Sequence, residues 1–297
     1  MILQKDIVTI AEDAGVAKTV IDKDWVLGHF IAALFSIPEI AENLVFKGGT
    51  CLRKCWFPDY RFSEDLDFTS ISKDFEFTEQ HLQETCNNVT SQTGIPTHIV
   101  SLKQIVFQDK KVGYEAIVKY WGADHSKNEA PPTPDRWQTK IKIEVILYEK
   151  MIFKPVEKEL FHPYPDKLLP IESIPCYRIE EVLSEKIRAL VQRSYTAPRD
   201  YYDIWYLSNN IPDLDWKNII SAFHEKMKYK NLEFTGIDQL INPKSERVVK
   251  LAWKNSLEHQ IKAENLPSFD VIKNDLETLF NKNFGNLIIN EEIEIDE

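Results

Sequence analysis

Long apolar runs are missing from this sequence. Its best candidate, residues 25–46, is interrupted by His29, Pro38, Glu39, Glu42 and Asn43, and a membrane-spanning helix needs about 20 predominantly apolar residues. Residues 1–6 hold neither a basic start nor an apolar run, so no signal peptide is expected and a cytoplasmic location is. Glycine and proline are sparse, at 9 and 15 of 297 residues, while 43% of the chain is hydrophobic. That balance excludes a disordered or collagen-like chain. Positive charge is in deficit, with a formal net charge of −11. A general nucleic-acid coating protein would be basic, so any nucleic-acid partner must be held by a local patch. Cysteine is also rare: Cys51, Cys55, Cys86 and Cys176 form no CxxC pair, and no histidine lies near Cys51 and Cys55 in sequence. A structural zinc site is therefore not expected, and free thiols in a reducing compartment are.

What is present divides near residue 163. Before it, the patterning predicts a helix over 21–35 with Trp25, Leu27, Phe30 and Leu34 apolar, then a strand over 44–47 running into Gly48-Gly49. A helix over 50–57, a strand over 65–70 and a polar helix over 78–91 follow. Strands are expected at about 97–107, 113–121 and 139–149, with a loop over 124–136 around Pro131, Pro132 and Pro134. Pro163, Pro165, Pro170 and Pro175 then read as a linker or wrap-around connection. Beyond them, 178–193, 199–208, 215–229, 244–261 and 268–282 read as helices. The expected architecture is α/β (α+β), a mixed-sheet domain over 1–165 followed by an all-helical domain over 166–290. Residues 291–297, with five acids, read as a solvated acidic tail.

The chemistry is concentrated in Phe46-Lys-Gly-Gly-Thr50 and Arg61-Phe-Ser-Glu-Asp65-Leu-Asp67-Phe. Alternate residues of a strand share a face, which puts Ser63, Asp65 and Asp67 on one side and Leu66 and Phe68 on the other. Two carboxylates so placed repel unless they share a hard cation, and magnesium or manganese takes oxygen ligands together with substrate phosphates. Gly48-Gly49 between strand and helix lets backbone N–H groups approach a phosphate, and the Thr50 hydroxyl is expected to donate to it. Lys47, Arg53, Lys54 and Arg61 surround this turn against the single acid Asp59, a positive island suited to a triphosphate. A lone Gly-Gly is usually a turn and a lone Asp-x-Asp usually surface; it is their combination that is specific. Two-metal phosphoryl chemistry asks for a third carboxylate on a neighbouring strand. In Lys140-Ile-Lys-Ile-Glu144-Val-Ile, Glu144 is the candidate for third ligand or general base, the alternative being an ordinary exposed glutamate. Further on, Ile179, Val182, Leu183, Ile187 and Leu190 form an apolar arc that includes Lys186, with Arg193 beside it; Asp200 and Asp203 share an arc with Ile204 and Leu207. A lysine on an apolar face snorkels or answers an anion. Lys186 is expected to contact the triphosphate, with Asp200 or Asp203 ordering it; the alternative is a structural ion-pair network between the two helices.

The pattern of Gly-Gly-Thr, helix and Arg-Phe-Ser-Glu-Asp-Leu-Asp-Phe resembles the DNA polymerase β-type nucleotidyltransferase superfamily and, more narrowly, the AbiEii/AbiGii toxin family. Asp22-Lys-Asp-Trp25-Val-Leu, Glu185-Lys-Ile-Arg-Ala-Leu190 and Arg199-Asp-Tyr-Tyr-Asp203 extend the resemblance over roughly residues 20–210. It implies a polymerase β-like fold and transfer of a nucleoside monophosphate from an NTP, with Asp65, Asp67 and Glu144 on Mg²⁺ (or Mn²⁺). It also implies an RNA acceptor, tRNA for several such toxins, and a cognate antitoxin. A protein or small-molecule acceptor, or a catalytically silent nucleotide-binding module, are the competing expectations.

Overall fold

The computed structural model describes every residue except Met1, Lys127, 194–196 and 294–297, with side chains through residue 285. The chain forms two compact units, Met1–Glu149 with Pro155–Tyr177, and Lys150–Lys154 with Arg178–Glu297. The expected acidic tail lies partly in the last helix and partly, at 294–297, outside the described residues.

In the first unit, α1 (Gln4–Ala14) stops at Gly15, which takes the left-handed conformation that glycine tolerates. Helix α2 (Lys18–Phe35) is buried almost all round, taking Asp22, Asp24 and His29 inside together with its apolar residues. Next come α3 (Pro38–Asn43), β1 (Leu44–Lys47) and α4 (Gly48–Cys51), which continues as one π-helical turn, Leu52–Trp56. Then follow β2 (Leu66–Ser70), α5 (Glu79–Thr93), the hairpin β3 (Thr97–Phe107) and β4 (Lys110–Tyr120), and β5 (Lys140–Ile146). The short strands β6 (Val156–Lys158) and β7 (Ile174–Cys176) complete a seven-stranded mixed sheet of order β3-β4-β5-β2-β1-β7-β6. Strand β2 runs antiparallel to β1 and parallel to β5. The core packs α2 on the sheet: Phe68 lies 5.2 Å from Phe46 and 5.9 Å from Phe35, between ring centroids.

The proline-rich stretch is more than the expected linker. β7 pairs with β1 through Phe46 and Cys176, so this stretch belongs to the sheet and the first unit ends at Tyr177, not at 165. Strands of three residues carry too little periodicity to be read from sequence; their pairing partner makes them strands. The stretch is also pinned to α2. The Asp166 carboxylate accepts from Trp25 Nε1 (3.1 Å to each oxygen), His29 Nε2 (3.2 Å) and His162 Nε2 (2.9 Å). Burial would raise the Asp166 pKa, but hydrogen bonds from His162, His29 and Trp25 hold it well below the usual carboxylate range.

The second unit contains α6 (Ile179–Gln192), α7 (Pro198–Asn210), α8 (Trp216–Tyr229), α9 (Glu246–Leu257) and α10 (Phe269–Ile293). Segment Lys150–Lys154 belongs with these helices because their buried charges hold its backbone. Glu181 accepts from the Ile152 and Phe153 amides at 2.9 and 2.8 Å. The fully buried Lys226 donates to the Lys150 carbonyl at 2.7 Å and pairs with Glu181 at 2.5 Å.

Asp166→Asn should lower stability at neutral pH by on the order of 2 kcal/mol, because charge-assisted hydrogen bonds become neutral ones. A carboxylate with a depressed folded pKa contributes stability above its unfolded value of about 4 and loses it as pH falls further. The gap between wild-type and variant melting temperatures should therefore narrow on acidification. A gap that widens below pH 4 would contradict the assignment.

Candidate active site

Four strands place one residue each in a single row. Glu115 of β4 lies opposite Glu144 of β5, Glu144 opposite Asp67 of β2, and Asp67 opposite Lys47 of β1. On the reverse face Leu66, Phe68, Ile143 and Val145 are fully or almost fully buried, so the alternation of β2 and β5 turns the acids away from the core. Asp65 sits just before β2, two residues from Asp67. Lys142, one strand repeat from Glu144, reaches its carboxylate at 3.0 Å and that of Glu115 at 3.7 Å. The row still carries an excess of acid. Burial, with the charges of Glu144 and Asp65, pushes the Asp67 carboxyl up to about 6, against the opposing pull of Lys47 and Lys142.

The glycine turn is built against these acids. Gly48 has φ 80°, and a β-carbon there would stand 2.4 Å from Asp67 Oδ2; only glycine combines that backbone with so close a carboxylate. A β-carbon at Gly49 would meet Ser63 Oγ at 2.8 Å and the Arg61 guanidinium at 3.0 Å. Ser63 precedes the strand instead of lying in it, but it does border the turn. Asp65, Asp67, Glu144, Gly48, Gly49 and Ser63 thus share one unit, with Asp67 between Gly48 and Glu144.

Two expectations for this turn are corrected. The Thr50 hydroxyl, 1% exposed, donates to the Asp65 carbonyl at 2.5 Å. It ties the turn to the acid-bearing segment, and its proton is already committed there. Lys54 does not face a triphosphate: it is 1% exposed and bound to Asp24 at 2.6 Å. Arg53 joins Asp24 at 3.0 Å, and the Tyr164 hydroxyl donates to it at 2.6 Å. Two of the four cations of the positive island are consumed in this way. Sequence reasoning missed Asp24 as their partner; the available signal was an aspartate directly before Trp25, at the start of the long apolar stretch of the helix.

Asp65, Asp67 and Glu144 offer oxygen donors only, the set that hard divalent cations take. Burial is the main cause of the raised Asp67 pKa, with Glu144 and Asp65 adding to it; a cation beside Asp67 would oppose that shift. Among the described residues, two groups bring three ligand atoms within 4.8 Å of one another, Cys51–Cys55–Cys176 and His29–His162–Asp166. The three carboxylates are not such a group, and Lys142 holds Glu144 in the arrangement seen. The donor set fits a divalent cation by its chemistry.

Within the helical unit, Lys186 of α6 meets two carboxylates of α7, Asp203 at 2.5 Å and Asp200 at 3.3 Å. Arg193 also pairs with Asp200. Asp203 is fully buried. The structure brings Lys186 and Asp200 together as an ion-pair network between two helices.

Over residues 29–275 the sequence matches the family described as nucleotidyl transferase AbiEii toxin, type IV toxin–antitoxin system. No curated protein matches it in sequence. Among solved structures, one from H. pylori with a provisional nucleotidyltransferase assignment is similar over 92% of this chain and 98% of its own, at 15% identity and a TM-score of 0.45.

Gly48→Ala should lower stability by on the order of 2 kcal/mol through its positive φ and displace the Asp67 carboxylate. Gly49→Ala, at a position without a positive φ, should cost less. Equal melting temperatures for both variants would refute this ordering. Lys186→Ala leaves Asp203 buried without that cation and should cost on the order of 3 kcal/mol. Transfer measured per folded molecule then tests whether Lys186 also serves a triphosphate: a large stability loss with normal transfer removes it from the site.

Proposed function

The chain belongs to the AbiEii family of nucleotidyl transferase toxins of type IV toxin–antitoxin systems, and from that premise we propose that it transfers a nucleoside monophosphate from an NTP to an RNA acceptor, tRNA by class. The observation that carries the reading is the carboxylate row, Asp67 beside Glu144 on adjacent parallel strands, with Asp67 against the Gly48 turn. Family membership brings an NTP substrate and an antitoxin partner with it. Among the described residues no helix is long and apolar enough to cross a membrane, and we place the reaction in the cytoplasm, where tRNA and NTPs are.

In this reading Asp65, Asp67 and Glu144 hold Mg²⁺ or Mn²⁺. When bound, the ion neutralises charge on the phosphates and acidifies the acceptor hydroxyl. The Gly48-Gly49 backbone lies close to the triphosphate, since no β-carbon keeps it away, and Ser63 borders the same space. The acceptor hydroxyl forms a bond to the α-phosphorus, the bond to the bridging oxygen breaks, and pyrophosphate leaves. As the alternative to ligating the ion, Glu144 takes the hydroxyl proton as general base. Lys47, at the end of the row, opposes charge developing on the phosphates. Asp65 keeps its position because Thr50 holds its carbonyl. The protein's contribution is mainly positioning and electrostatics.

The test is incubation with total tRNA and each of four labelled NTPs, with Mg²⁺ or Mn²⁺. Label should enter tRNA, and Asp65→Asn or Asp67→Asn should cut transfer by at least about a hundredfold. The Asp67 carboxyl is raised to about 6, so its charge is unfavourable in the fold at pH 7. Asp67→Asn should consequently keep or raise the melting temperature while losing activity. Label on a protein or a small antibiotic would move the acceptor assignment. Wild-type rates in folded Asp67→Asn would sink the metal assignment, and failure to bind NTP with Mg²⁺ in calorimetry would favour a silent binding module.

A further inference from the structure

Three of the four cysteines, dispersed in sequence, meet in the fold. Cys51 ends α4, Cys55 lies one turn later in the π-helical turn, and Cys176 ends β7, opposite Phe46 of β1. Their sulfur atoms all lie within 4.8 Å of one another, and the residues are 0%, 2% and 0% exposed. A metal bound at about 2.3 Å from each sulfur requires sulfurs roughly 4 Å apart, which this spacing meets. The parallel pairing of β1 with β7 creates the cluster, which explains why no CxxC spacing announces it.

We propose that Cys51, Cys55 and Cys176 form a three-thiolate site for a soft monovalent d¹⁰ cation of the copper(I) class. Thiolates select soft ions. A structural zinc ion is almost always four-coordinate, and among the described residues no fourth histidine, cysteine or carboxylate joins this group. Copper(I) is satisfied by three sulfurs and needs no water in a site this dry.

The electrostatics agree with the geometry. Hydrogen bonds from the Cys176 and Cys51 thiols, with the charges of Lys54 and Lys158, bring the Cys55 thiol down to about 5. The S–H protons of the three thiols are released to water as the ion enters. Binding therefore weakens as pH falls. Cys51 directly follows Thr50, whose hydroxyl holds Asp65. An ion here ties the helix after the glycine turn to β7 and should stiffen the base of the candidate active site. The fourth cysteine, Cys86 on α5, is buried but stands outside the cluster and serves as the internal control.

The reduced full chain is titrated anaerobically with copper(I) in competition with bathocuproine disulfonate, and in parallel with zinc(II). We expect one copper(I) per chain, a higher melting temperature on loading, and an X-ray absorption spectrum with three sulfur neighbours only. Cys51→Ala and Cys176→Ala, which keep small apolar groups in the core, should each weaken binding by at least about tenfold. Cys86→Ala should bind like wild type. Sulfur counting on the wild-type protein needs no variant to fold. Failure of the wild type to hold copper(I) against the competitor would overturn the proposal. So would equal uptake by a Cys51→Ala/Cys176→Ala double variant, or preference for zinc with nitrogen or oxygen neighbours. Because metal content and melting are read without NTP or tRNA, this result is independent of the transferase reading.

Discussion

The first unit is organised around one buried carboxylate. Asp24 is 1% exposed, and an ionised group at that depth persists only when it is well met. Lys54, Arg53 and the Tyr164 hydroxyl meet it from two separate segments. Burial would raise its pKa, and the two cations hold it below the ordinary value. Lys54 and Arg53 lie on the helical segment that leaves the glycine turn, so the ion pair clamps that segment to α2. Two residues beyond Tyr164, Asp166 takes donors from Trp25 and His29 of the same helix. The position of the Gly48 turn against Asp67 is therefore inherited from contacts buried well behind it.

On the sheet surface, like charges are neighbours by design of the register. Glu115, Glu144 and Asp67 stand side by side, a placement that costs stability unless countercharge is present. Lys142 and Lys47 supply part of it, while burial first, and then Glu144 and Asp65, still push the Asp67 carboxyl upward. Under the proposed function, stability and chemistry pull apart at this position: a site that attracts a cation and phosphates cannot also be neutral before they arrive.

Sequence and structure agree best where period and burial agree. Strand β1 is legible as a short apolar run ending at glycine, and the helices from residue 178 onward because each buries one stripe. The candidate acids Asp65, Asp67 and Glu144 stand out in the sequence against alternating apolar residues. What misled was the role of nearby charge. Lys54 and Thr50 looked like phosphate ligands by proximity in sequence, yet one answers Asp24 and the other the Asp65 carbonyl. Proximity along the chain says which groups are near a turn; it does not say which already have a buried partner.

The sequence by itself determined the local elements, the face on which the acids of β2 and β5 lie, and the need for glycine at a turn beside them. These follow from periodicity and backbone sterics, which act over a few residues. Only the tertiary structure decided that Asp67 and Glu144 are neighbours, that Asp24 claims Lys54, that β7 joins β1, and that three cysteines from separate segments share one pocket of sulfur. Each of those depends on which strand lies beside which, and pairing between distant segments is set by the burial of the whole core, for which no local pattern of residues stands.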